Sequence, residues 1–142
     1  MLPAASETAR VHLRTMVQRN TWQRDRVRTA LGDAAGFVSA QDLHAALRTD
    51  NTGIGLATVY RALQSLADDG NVDVLRTDDG EAVYRRCSTR HHHHLVCRGC
   101  GRTLEVEGRA VERWASAVAA EHGFDEVDHL VEVFGTCADC RR

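Results

Sequence analysis

Residues 55–86 read GLATVYRALQSLADDGNVDVLRTDDGEAVYRR. Leu56, Val59, Leu63 and Leu66 recur at helical spacing, which puts one apolar stripe along a helix, and Gly70 supplies the stop. The period then changes. Val72 to Thr77 and Glu81 to Arg85 are strand-like runs joined across Asp78-Asp79-Gly80, where glycine provides the positive φ of a tight hairpin. A helix followed directly by a hairpin is the second half of a winged helix-turn-helix domain.

The first half lies upstream. Ser39-Ala40-Gln41-Asp42 reads as a capping box variant ahead of Leu43 and Leu47, predicting a helix to about Arg48, with a turn from Thr49 to Gly55. Val11, Met16, Val27 and Leu31 are helically spaced within residues 8–32, and turn chemistry at Asn20-Thr21 and Gly32 predicts two helices there. Arg10, Arg14, Arg19, Arg24, Arg26 and Arg28 face only Glu7 and Asp25, a local positive excess in a chain of net charge −2. On the helix of residues 55–69, Ala57, Arg61 and Gln64 lie opposite the apolar stripe, flanked by Thr58 and Tyr60. Arginine reads guanine edges or clamps phosphates, and the two hydroxyls suit phosphates, so this face is a candidate for a major groove.

Downstream, the composition changes to histidine and cysteine at Cys87-Ser88-Thr89-Arg90. These residues read as a hinge between a domain at 1–86 and a second at 91–142. His92 to Cys97 and Arg102 to Glu107 are strand-like, Arg109 to His122 carries Val111, Trp114, Ala115 and Val118 on one helical face, and Leu130 to Phe134 alternates. The expected class is α+β, a winged-helix domain followed by a small α/β domain.

The 142 residues are 43% hydrophobic and 27% charged, ordinary for a soluble globular chain, and halves this small gain disproportionately from a metal or a dimer interface. Neither a signal-like start nor a membrane-length apolar run is present, so a cytoplasmic location is expected. Thiols stay reduced there, and five cysteines, four of them in CxxC pairs, read as metal ligands rather than disulfides. Cys97/Cys100 and Cys137/Cys140 provide the four thiolates of a closed structural zinc site, with Gly99 and Gly101 permitting the cramped first turn.

His91-His92-His93-His94 enters a strand, where alternate side chains point to opposite faces, so His91 and His93 share one face and His92 and His94 the other. One run of histidines therefore offers two imidazoles to each of two ions, and each needs two further ligands. Cys87, the one cysteine outside a CxxC pair, and Asp73 on the first wing strand are candidates for one set; Glu112 and His129 are candidates for the other. A thiolate with two imidazoles suits zinc over iron or manganese. His44 and His122 fall outside both sets, as surface and helix-end residues.

Gly55-Leu-Ala-Thr-Val-Tyr-Arg-Ala-Leu63, Ala82-Val-Tyr-Arg85 and His91-His-His-His-Leu-Val-Cys-Arg-Gly-Cys100 together resemble the ferric uptake regulator (Fur) superfamily. Cys87-Ser88, the four histidines and Phe134-Gly-Thr-Cys-Ala-Asp-Cys140 are most similar to its zinc-sensing branch, the Zur type of actinobacteria. The resemblance covers about residues 19 to 142. It implies a homodimer with an N-terminal DNA-binding domain and a C-terminal dimerisation domain, carrying up to three zinc ions per chain. It further implies that Cys97, Cys100, Cys137 and Cys140 hold structural zinc, that Asp73, Cys87, His92 and His94 form a regulatory hinge site, and that His91, His93, Glu112 and His129 form an additional regulatory site. Tyr60, Arg61 and Arg24 are the implied DNA contacts, beside Ala57, Thr58 and Gln64 on the same helix face. Ala57 stands where the family usually has threonine, Trp22 interrupts an N-terminal motif, and Phe37 occupies a place where iron- or peroxide-sensing members often carry a histidine ligand.

The function expected from the resemblance is a zinc-responsive repressor that binds double-stranded DNA, an inverted-repeat operator, and controls zinc uptake genes. It needs neither a membrane nor a small-molecule substrate. An iron- or manganese-responsive regulator of the same superfamily is one alternative, and a zinc storage or delivery protein, which has no use for the Tyr60/Arg61 face, is another. A zinc hydrolase needs an open coordination position and a nearby base, whereas each set here fills four positions, so no enzyme is expected.

Overall fold

The computed structural model describes residues 7–141, with side chains described from Asn20 to Arg141. It separates into two units, one of residues 1–34 and 38–86, the other of residues 35–37 and 87–142. The side chains of Val11, Met16, Arg10, Arg14 and Arg19 lie outside the described residues.

The first unit begins with a single helix, α1 (Glu7–Gly32), where the sequence predicts two. Asn20 and Thr21 are only weak helix formers, costing a few tenths of a kcal/mol each, and with neither glycine nor proline beside them the helix continues. After it come a short strand β1 (Val38–Ser39), α2 (Ala40–Thr49), α3 (Leu56–Asp68), β2 (Val72–Arg76) and β3 (Ala82–Arg86). Ser39 caps α2: its hydroxyl oxygen accepts from the Asp42 amide at 3.1 Å and its hydroxyl donates to the Asp42 carboxylate at 2.8 Å. Helix α3 ends as its sequence requires. Gly70 takes φ 72°, and the amides of Gly70 and Asn71 return to Ala67 and Leu66 at 3.0 and 2.9 Å.

The sheet order is β1-β3-β2, all antiparallel, and β1 is an addition to the expected hairpin. Two residues are too short a run to show alternation in sequence, yet they cap the wing by pairing Val38 with Tyr84 and Ser39 with Val83. Val27 and Leu31 of α1, Leu43 and Leu47 of α2, and Val59, Leu63 and Leu66 of α3 form the core with Val72 and Tyr84. A fully buried leucine there contributes about 1.5–3 kcal/mol, and Leu63→Ala, which also leaves a cavity, costs about 2–5 kcal/mol.

The second unit holds β4 (His93–Cys97), β5 (Thr103–Val106), α4 (Arg109–His122), β6 (Glu132–Gly135) and a 3-10 turn (Ala138–Arg141). β4 is central, antiparallel to β5 and parallel to β6, with α4 making the crossover. Ala35–Phe37 belong to this unit because Gly36 bridges Arg102; a β-carbon on Gly36 would lie 2.2 Å from the carbonyl oxygen of Gly101. Among the described residues of this unit, the buried hydrophobics are only Val96, Cys97 and Ala119. Leu104, Leu95 and Val133 form one row across the three strands, and all are exposed, as is Trp114 on α4 at 66%. A sheet row of this kind with so small a core beneath it needs other means of stabilisation.

Candidate metal centres and nucleic-acid face

The two CxxC pairs converge. Cys97 ends β4, and the chain turns at once: the Gly101 amide returns to the Cys97 carbonyl at 2.9 Å and the Arg98 amide reaches Gly135 on β6 at 2.8 Å. β6 thereby delivers Cys137 and the 3-10 turn delivers Cys140, and the four sulfurs lie within 4.8 Å of one another. Cys100 and Cys137 sulfurs are 3.8 Å apart. Four thiolates about 2.3 Å from a tetrahedral ion stand about 3.8 Å apart, so the donor set fits zinc. A β-carbon on Gly99 would come within 2.9 Å of the Cys140 sulfur, which accounts for glycine inside the first pair.

The backbone sets up the charge. The amide of Cys137 points at the Cys97 sulfur from 3.3 Å, and with the amides of Cys100 and Gly99 it outweighs burial and lowers the thiol to about 6. Cys140 is pushed the other way, to about 12, chiefly by its contacts with Cys137, Cys100 and Cys97 and then by burial. The folded chain thus favours the thiolate at Cys97 and the thiol at Cys140.

On β4 the histidines alternate as the strand requires. His91 and His93 rings lie 5.0 Å apart on one side, His92 and His94 rings 4.8 Å apart on the other. Glu112, in the first turn of α4, reaches the first pair: its Oε1 is 2.7 Å from His93 Nε2 and 3.0 Å from His91 Nε2. His129, on the loop before β6, brings its Nε2 to 3.2 Å from the same oxygen and 3.1 Å from His91 Nε2. Burial pushes the Glu112 carboxyl up, but the hydrogen bonds of His93 and His129 and the charges of His129 and His91 prevail, and the net shift is down. The carboxylate oxygen lies 2.7–3.2 Å from the three imidazole nitrogens, and the four donor atoms lie within 4.8 Å of one another, a spacing compatible with the ~3.3 Å edge of a tetrahedral zinc–nitrogen site. They fit the ion.

The second pair meets Cys87. Its sulfur is 3.3 Å from His94 Nε2, while Ser88 next to it donates from both amide and hydroxyl to Glu105, at 3.1 and 2.7 Å. His94 is 3% exposed, with the Phe37 ring edge-on at 5.1 Å and Glu132 Oε1 2.9 Å from its other nitrogen. Cys87, His92 and His94 are three soft or borderline donors in one place. Asp73 belongs to the first unit, on β2 opposite Arg85.

Glu132, Ser88 and Glu105 are absent from the sequence-derived sets. The register held a signal for two of them, since Glu105 on β5 and Glu132 on β6 both pair with His94 and so share its face.

In the first unit, Ala57, Tyr60, Arg61 and Gln64 of α3 are exposed and Thr58 is half-buried. Arg61 donates to the Thr58 hydroxyl at 3.2 Å and Gln64 to Asp68 at 2.8 Å. Arg24 on α1 is ion-paired with Asp69, just past the end of α3. Arg24, Thr58 and Arg61 line a cavity of about 320 Å³ between the two helices. Arg61 and Tyr60 keep their free faces; Arg24 is shared with a carboxylate.

Comparison with known proteins gives one family. The model of the ferric uptake regulator family matches residues 16–134. The zinc uptake regulation protein of Mycobacterium tuberculosis is 58% identical over 123 residues, 87% of this chain and 95% of that protein. The crystal structure of FurB from M. tuberculosis, a zinc uptake regulator, has the same identity and coverage with a TM-score of 0.52. A zinc uptake regulator complexed with zinc and DNA is 28% identical, with a TM-score of 0.69 over 96% of this chain and 97% of that one.

Proposed function

Because the chain belongs to the ferric uptake regulator family, we propose that it is a zinc-responsive transcriptional repressor that binds its operator as a dimer when loaded with zinc. The observation that carries this is the grouping of Cys87, His92 and His94 beside, but separate from, the four-cysteine set. A closed cysteine site builds structure; a second set with a thiolate and two imidazoles provides a switch of matching metal preference. Zinc would supply the divalent charge that draws these donors together.

Cys87, His92 and His94 then contribute three ligands and Asp73 of the first unit the fourth, so that filling the set links the DNA-binding unit to the dimerisation unit. His91, His93, Glu112 and His129 form the additional regulatory site. To move the DNA-competent state from about 1% to about 99% of the population, the occupied set must favour it by about 5.5 kcal/mol, well within the ~10–16 kcal/mol apparent for structural zinc. The exposed row Leu104–Leu95–Val133, with Trp114, is the surface a second copy covers. Tyr60, Arg61 and Gln64 face the major groove, and Arg24 approaches from α1.

The test is titration of operator binding against buffered free zinc, iron and manganese at one stated salt concentration, with Cys87→Ser in parallel. Zinc alone should drive binding, and Cys87→Ser should weaken that response while the dimer stays folded. A zinc response unaltered in Cys87→Ser would remove the hinge set from the mechanism, and a preference for iron would make the chain an iron regulator.

A further inference from the structure

We propose that Glu132 is a positioning residue for the hinge set: it holds His94 in the tautomer whose Nε2 lone pair faces Cys87. This rests on the reading of Cys87, His92 and His94 as a metal-binding set.

Glu132 opens β6 and pairs directly with His94 of β4, so the two side chains leave the sheet on the same face. Its Oε1 lies 2.9 Å from His94 Nδ1, and the same ring presents Nε2 to the Cys87 sulfur at 3.3 Å. An ionised carboxylate only accepts hydrogen bonds, so the Nδ1 beside it carries the proton of the neutral ring. Nε2 is left with its lone pair, and the lone pair is what a metal takes.

Burial argues that this contact is not incidental. Both side chains are nearly removed from solvent, His94 at 4% and Glu132 at 11%. Glu132 Oε2 is buried and has no hydrogen-bond partner among the described residues. Placing a carboxylate there with half its capacity unused is unfavourable, and an apolar side chain at the same position would avoid the cost. What an apolar side chain cannot do is choose between the two ring nitrogens of His94. Phe37, edge-on to the ring at 5.1 Å, restricts its tilt but has no hydrogen-bonding group with which to select a nitrogen.

His94 differs here from His93, its neighbour on the strand. His93 presents Nε2 to Glu112, a carboxylate within its own ligand set, whereas Glu132 stands behind His94, on the side away from Cys87. Outer carboxylates on ligand histidines commonly change metal affinity 10–100-fold when removed.

The experiment uses the full-length dimer with zinc retained in the four-cysteine site, comparing wild type, Glu132→Gln and Glu132→Ala. Long-range 15N–1H spectra of the histidine rings read the His94 tautomer before the hinge set is loaded. Cobalt titration then reads the thiolate-to-cobalt absorption that is lost in Cys87→Ser. Wild type should show His94 protonated at Nδ1; Glu132→Ala should populate the other tautomer and weaken the Cys87-dependent cobalt site 10–100-fold. Glu132→Gln, which keeps an acceptor oxygen and the shape, should recover the tautomer and part of the affinity. A His94 tautomer and a cobalt affinity both unchanged in Glu132→Ala would overturn the proposal while leaving the hinge set standing. A wild-type protein with no Cys87-dependent cobalt band would overturn the hinge set itself, whatever the tautomer.

Discussion

The imidazole of His93 fills the space that a side chain on Gly108 would need: a β-carbon there would lie 2.4 Å from His93 Cδ2 and 2.7 Å from Nε2. Gly108 is the residue from which α4 starts, and the same helix carries Glu112 one turn later. Even the smallest side chain would push the buried ring off Glu112. Gly108→Ala should therefore lower zinc stoichiometry by one ion per chain and cost about 1–3 kcal/mol of overpacking, with the four-cysteine ion retained. Metal analysis after dialysis against a weak chelator, with thermal unfolding alongside, checks both halves.

Arg61 leans on the Thr58 hydroxyl yet keeps its guanidinium on the exposed face of α3. Arg61→Ala removes no core contact, so fold and zinc content should be unchanged. Operator binding should weaken by about 1–3 kcal/mol if Arg61 reads a base, with discrimination relaxed at that position. A variant that loses affinity equally for every sequence would instead make Arg61 a phosphate contact, seen as a salt dependence shallower by about one unit.

Leu104 is 45% exposed at the β5 end of the apolar sheet row. A charge there has no effect on a solvated monomer surface but is buried unpaired in a dimer, at a cost of several kcal/mol. Leu104→Glu should yield monomers by sedimentation and abolish operator binding at concentrations where the parent is dimeric. Persistence of the dimer would place the interface elsewhere.

Acid should act first through the cysteine site of the zinc-free chain. The Cys97 thiol is lowered from 9.0 to about 6 by the amides around it, so its folded value lies below its unfolded one. Its contribution is complete above the ordinary thiol range and is lost as pH falls through about 6. Unfolding of the zinc-free, reduced chain should therefore become easier between about pH 9 and pH 6, and Cys97→Ser should flatten that dependence. Equal slopes in the two chains would mean that the amides do not hold a thiolate.

The winged helix was legible because its apolar stripe and its glycines act locally: Leu56, Val59, Leu63 and Leu66 mark a face, and Gly70 and Gly80 take the positive φ that no neighbour has to impose. The two-helix expectation for residues 8–32 failed for the complementary reason. Asn20 and Thr21 express a weak preference, and the packing of Val27 and Leu31 into the core outweighs it. The grouping of His91 with His93 followed from strand period alone, whereas Glu112 and His129 were reached through resemblance, since nothing local ties a helix carboxylate to a loop imidazole. Glu132 escaped because its partner is set by β4–β6 register, and a parallel pairing across a helical crossover leaves no mark in the spacing of either strand.

The histidine run gives the chain an arithmetic of its own. Which of the two proposed ligand sets a histidine of the run can join is decided by whether it sits an odd or an even number of steps from Leu95, so the count of residues matters as much as their chemistry. Deleting any one histidine leaves three rings for four places, at one, two and three steps before Leu95, with Arg90 moved into the fourth. The pair at odd steps stays complete while the pair at even steps loses a ring, so the length of the run sets how many of the proposed ligand sets can be filled.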